Sequence, residues 1–181
     1  MRVPTENAIR IGSLDDADAA SWCAMGTYLV PYGGFLAANL QAGETVLVSG
    51  ATGYFGNAAV AVALAMGARS VIAPGRNEKV LEDLARRFGP RLRPVELSGT
   101  EADDRERMKE ASPSPIDCVL DILPPSVDPR TVRAAVMTVR RYGRVVLMGG
   151  VGMSGGPGLE LPYPWIMRNC VTIHGRVDVP T

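Results

Sequence analysis

Val46 to Gly56, VLVSGATGYFG, constrains this chain more than any other stretch. Apolar and small residues run into three glycines, Gly50, Gly53 and Gly56, and the small-residue run NAAVAVALAMGA follows. The pattern predicts a buried strand, a turn of minimal bulk, and a helix whose first amides are bare. Those amides and the helix dipole favour an anion beyond the strand end. Glycines let a large anion approach the backbone closely. The spacing points to a dinucleotide pyrophosphate. Against the G-x-G-x-x-G fingerprint, Ala51 takes the first glycine position, followed by Thr52, Gly53, Tyr54, Phe55 and Gly56.

A dinucleotide site expects Asp or Glu at the end of the second strand, where it binds ribose hydroxyls. Here the stretch reads Ala73-Pro74-Gly75-Arg76-Asn77-Glu78-Lys79, with no acid at the strand tip. Arg76, with Asn77 and Lys79 beside it, suits a 2′-phosphate by charge and by its planar donor fork. The site therefore favours NADP over NAD.

Strand and helix signals alternate from Thr45 onward. Predicted strands are Thr45–Ser49, Ser70–Ala73, Leu92–Leu97, Ile116–Leu120, Gly143–Met148 and Cys170–His174. Pro94 assigns the third to a sheet edge. Helices are expected over Asn57–Met66, Asn77–Phe88, Glu101–Ala111 and Val127–Arg141, with a helical turn at Trp165–Arg168. The fold class is α/β, a Rossmann-type doubly wound six-stranded parallel sheet. Upstream, Asp15–Met25 reads as one short helix and Phe35–Leu40 as another, separated by Gly26, Pro31, Gly33 and Gly34. Residues 1–44 read as an appendage to a sheet domain over 45–181.

In such sheets the ligand lies across the carboxyl ends of the strands. Asp121 and Ile122, then Gly149, Gly150 and Val151, then His174, are the further candidates to line the nicotinamide half. Asp121 could equally cap the following turn, and His174 be an ordinary strand-end residue.

The formal net charge is zero and about a fifth of the residues are charged, so nothing argues for nucleic acid or an anionic membrane. The apolar runs are too short to span a bilayer. MRVPTENAIR has no apolar core of a signal peptide, which predicts a cytoplasmic protein. Cys23, Cys118 and Cys170 are odd in number and far apart, which argues against a disulfide framework. With one histidine, no Ser-His-Asp set can be assembled.

Taken together, AANLQAGETVLVSGATGYFGNAAVAVALAMGAR, CVLDILP, GRVVLMGG and VTIHG resemble the medium-chain dehydrogenase/reductase superfamily. That group holds the zinc-type alcohol dehydrogenases and quinone oxidoreductases. The resemblance implies an NADP-binding domain passing hydride between cofactor and a carbonyl, alcohol or enone. It also implies that residues 1–44 are a remnant of the catalytic domain and its connecting helices, so the chain looks like a cofactor domain alone. The alternative is a non-catalytic module that binds dinucleotide or dimerises. Family members pair through their last strands, here Cys170–His174, which implies a homodimer.

In zinc-dependent members a Cys near the start of this domain, with Thr four residues on, binds the metal. Cys23-Ala24-Met25-Gly26-Thr27 fits that spacing, whereas ungapped registration on AANL puts Gly26 at the ligand position. The family's other ligands would lie upstream of Met1, so Cys23 is the one candidate and zinc is not expected. Short-chain dehydrogenases share the GATGxxG look but need Tyr-x-x-x-Lys, which this sequence lacks.

Overall fold

The structure, a computed structural model, describes residues 19–176. Its elements are α1 (Ala19–Ala37), β1 (Thr45–Ser49), α2 (Tyr54–Ala65), β2 (Ser70–Gly75), α3 (Glu78–Phe88), β3 (Leu92–Glu96), α4 (Glu101–Glu110), β4 (Ile116–Asp121), α5 (Pro129–Val136), β5 (Val139–Leu147), α6 (Tyr163–Asn169) and β6 (Thr172–Gly175). The six strands form one parallel sheet in the order β3-β2-β1-β4-β5-β6. The order reverses between β1 and β4, which opens a crevice beyond their carboxyl ends.

Side chains alternate across the sheet. Val46 and Val48 join Phe35, Val60 and Leu84 in one core. Leu47 joins Met108, Val132 and Val136 in the other. Helices α1, α2 and α3 cover the first face, and α4, α5 and α6 the second. All five residues of β1 are buried, as a central strand packed on both faces requires.

The expected break in the first helical region does not occur. Helix α1 runs unbroken through Gly26, Pro31, Gly33 and Gly34; residues 15–18 of the expected first segment lie outside the described residues. Pro31, Gly33, Gly34 and Phe35 are buried. A Cβ at Gly34 would fall 2.9 Å from Leu120 Cδ1. Small residues let the helix lie close on β4 and β5, and that burial outweighs their poor helix propensity.

The expected helix over 127–141 is shorter, and β5 starts at Val139. The Thr138 hydroxyl donates to the Ala135 carbonyl at 2.6 Å, and Thr138 N to the same carbonyl at 3.1 Å. Val139 then pairs with Ile116, and two residues along β4 match five along β5 before pairing resumes at Cys118–Arg144. Arg140 Nε donates to Asp117 Oδ1 at 2.5 Å inside this bulge.

Strand β2 continues past Ala73 to Gly75. Its pairing with β1 ends at Ile72, so Pro74 pairs only with β3 and its missing N–H costs little. Strand β3, with Pro94, is at the edge. No helix among the described residues is long and apolar enough to cross a membrane.

Candidate functional site

The glycine turn sits where β1 ends at the crevice. Gly50 has φ +99°, a conformation that L side chains rarely adopt. Its carbonyl accepts from Gly53 N at 2.9 Å. Gly53 is the N-cap of α2 and supplies no side-chain cap. Asn57 N already bonds the Gly53 carbonyl at 2.8 Å. The amides ahead of it, from Tyr54 to Gly56, are the bare donors of the first turn. No acid stands in that turn. A Cβ at residue 56 would overlap the Gly50 carbonyl oxygen, so the helix start and strand end touch through backbone alone.

Across the crevice, the tip of β2 packs on this turn, with the Gly75 Cβ position 2.7 Å from Thr52 Cγ2. Beneath them lies a cavity of about 80 Å³ bounded by Ser49, Gly50, Thr52, Gly75, Arg76 and Leu123. Arg76 and Lys79 are exposed, and no ion pair holds either among the described residues. Asn77 is committed locally: its Oδ1 caps α3 by accepting from Val80 N at 3.2 Å.

On the other flank of the turn, a groove of about 370 Å³ runs between α1 and α2. Thr27 Oγ1 donates to the Tyr54 hydroxyl at 2.8 Å there. Tyr54 and Phe55 are exposed and meet edge-to-face.

Asp121 ends β4 in register with Ser49 and is only 2% exposed. Burial pushes its carboxyl up to about 6, although the Ser49 hydroxyl and the Leu123 amide both favour the charged form. Asp121 thus lies beneath the crevice floor, and Ile122, Gly149, Gly150 and Val151 are half-buried at its rim. His174 pairs with Val146 inside β6, one residue short of the strand end.

The structure therefore gathers Gly50, Thr52 and Arg76 around one cavity. Leu123, which follows the fourth strand and is expected beside Asp121 and Ile122, lines it too; so do Ser49, Gly75, Leu97 and Thr131, which sequence reasoning does not select. Leu97 is discoverable as the residue ending the expected third strand; Thr131 needs the placement of α5. A wider cleft of about 650 Å³, between α5 and the 152–160 segment, involves none of the expected residues. Its cations are engaged: Arg130 Nη2 pairs with Asp128 at 2.7 Å, and Arg133 Nε lies 3.4 Å from Glu101.

A parallel sheet reversing at β1/β4, with a glycine turn and bare helix start at the reversal, defines a Rossmann-type dinucleotide-binding domain. The model of the zinc-binding dehydrogenase family matches residues 55–177. The chain belongs to that family, within the medium-chain dehydrogenase/reductase superfamily. It is 29% identical over 150 residues to prostaglandin reductase 1 of Bos taurus, covering 76% of this chain and 43% of that protein. Its fold matches the quinone oxidoreductase of Thermus thermophilus, a protein also solved in complex with NADPH. The TM-score is 0.62 with 28% identity, over 83% of this chain and 44% of that one. Galactitol-1-phosphate dehydrogenase of Escherichia coli shares the fold, with a TM-score of 0.70, 22% identity, and coverage of 89% and 44%. The chain thus spans less than half the length of these relatives.

The family's name implies zinc. Among the described residues no group of three His, Cys, Asp or Glu side chains could hold a metal ion. Cys23 is exposed on α1. These residues do not fit a zinc site. The dinucleotide does fit: the cradle is one that a Cβ at residue 56 would disrupt.

Proposed function

We propose that residues 45–181 form the NADP(H)-binding unit of an oxidoreductase acting on a carbonyl, alcohol or enone. The observation that carries this is the pairing of a bare helix start at Gly53–Gly56 with exposed Arg76 just past β2 and Lys79 in the first turn of α3, neither held by an ion pair among the described residues. The bound cofactor supplies hydride. The amides of Tyr54 and Phe55 hold the pyrophosphate, and Arg76 with Lys79 holds the 2′-phosphate. Ile122, Gly149, Gly150 and Val151, with His174 nearby, border the nicotinamide half. Residues 1–44 then join this unit to a catalytic domain.

Titration of the purified chain with NADPH and NADH tests the reading. Tighter binding of NADPH is expected, and no binding of either at millimolar concentration overturns it.

A second reading is a dinucleotide-binding or dimerising module without catalysis, for which the exposed β6 edge would serve dimerisation. Turnover of aldehydes, ketones or quinones by this chain alone would refute it. In both readings β6 is an exposed sheet edge and pairs with a second copy. The free thiols suit a reducing, cytoplasmic setting.

A further inference from the structure

Asp121 touches both flanks of the crevice floor. Its Oδ1 is buried without a hydrogen-bond partner. The Ser49 hydroxyl donates to the carboxyl, and Ser49 is the residue immediately before Gly50. On the other flank, Gly149 passes so close that a Cβ there would overlap Asp121 Oδ2. Backbone bonds repeat both connections: Ile122 N donates to Ser49 O at 3.0 Å, and Met148 N to Asp121 O at 2.9 Å.

We propose that Asp121 is a positioning residue that joins the tips of β1 and β5 behind the phosphate cradle, and that dinucleotide binding is coupled to proton uptake by its carboxyl group. The proposal rests on the dinucleotide reading of the cradle.

A pyrophosphate at Gly50–Gly56 raises the negative potential at a carboxylate already short of solvent, and so favours the neutral acid. No described charge offsets it. From β1 and β5 the neighbours are Ser49, Leu147, Met148 and Gly149, all uncharged. Helix α1 carries no Asp, Glu, Lys or Arg, and its titratable groups are Cys23, Tyr28 and Tyr32; α2 carries only Tyr54. The segment 122–127 is uncharged. On α5, Arg130 and Arg133 face Asp128 and Glu101. Asp117 and Arg144 are nearer the other end of the sheet, where they act on Cys118. The carboxyl's position near 6 places a further rise within the neutral range.

Calorimetry of the full chain with NADH, in PIPES and in imidazole buffer at pH 7, tests this. NADH is used because the 2′-phosphate of NADPH itself titrates near 6. Buffer-dependent heats showing proton uptake are expected in the wild type and not in Asp121→Asn. The wild-type affinity should weaken from pH 6 to pH 8, by up to ~10-fold per pH unit, and stay flat in the variant. NADH binding without uptake, or equal uptake in Asp121→Asn, overturns the inference while leaving the cofactor reading intact. Failure of both dinucleotides to bind overturns the two together. If Asp121→Asn does not fold, Ser49→Ala, which removes a donor to the carboxylate, should move the pH of maximal uptake upward; an unmoved maximum overturns the inference.

Discussion

The Cα of Gly56 lies directly against the carbonyl of Gly50, leaving no room for a side-chain carbon. The first turn of α2 therefore rests on the backbone that ends β1. Gly56→Ala must push the helix away from the strand end. Loss of about 2–3 kcal/mol of stability is expected, together with weakened dinucleotide binding. Urea denaturation and cofactor titration check both. Gly53→Ala, whose Cβ would stand 3.3 Å from the same oxygen, should cost less stability.

Gly26 lies inside α1 with nothing within 4 Å of a Cβ position. Alanine there removes backbone freedom from the unfolded chain without a clash. Gly26→Ala should stabilise the protein by about 0.5–1 kcal/mol, visible as a raised midpoint in thermal unfolding.

Arg76 is exposed at the β2 tip, with no acid between it and the strand. Arg76→Ala should weaken NADPH binding by about 1.5–3 kcal/mol, the range of a hydrogen bond to a charged group, and leave NADH binding nearly unchanged. Paired titrations read the ratio; equal loss for both dinucleotides would reject a role in recognising the 2′-phosphate.

The raised carboxyl of Asp121 also sets a stability profile. Its folded value of about 6 lies above the ordinary 3.8, so the folded state binds the proton more tightly. The associated stability is fully present below pH 3.8 and is lost as pH rises through 6. Asp121→Asn should therefore be more stable than the wild type at pH 7.5, by at most about 3 kcal/mol. The advantage should disappear near pH 4. Denaturation of both proteins across that range checks the sign.

The β1–turn–α2 unit is legible in the sequence because it is local: strand, glycines and helix are contiguous, and each residue's surroundings come from its neighbours. The six strands are legible for the same reason. Helix α1 is not. Pro31, Gly33 and Gly34 read as breakers, and only the nearby side chains of Leu120 and Met148 show why the helix continues. The start of β5 is hidden because Val139 pairs with Ile116, a partner that helical periodicity over 127–141 cannot reveal. Asp121 stands out in the sequence only as an acid at a strand end. Its burial, and its link to Ser49, depend on β1 and β4 being adjacent.

That adjacency divides the site by distance along the chain. Cradle and β2 tip come from residues 45–76, while Asp121 reaches Ser49 only across a long intervening segment. Joining them costs the closure entropy of that segment, so contacts within the first half can form sooner. The phosphate turn is built from near neighbours, whereas the carboxyl behind it is a long-range fastening between the two halves of the sheet.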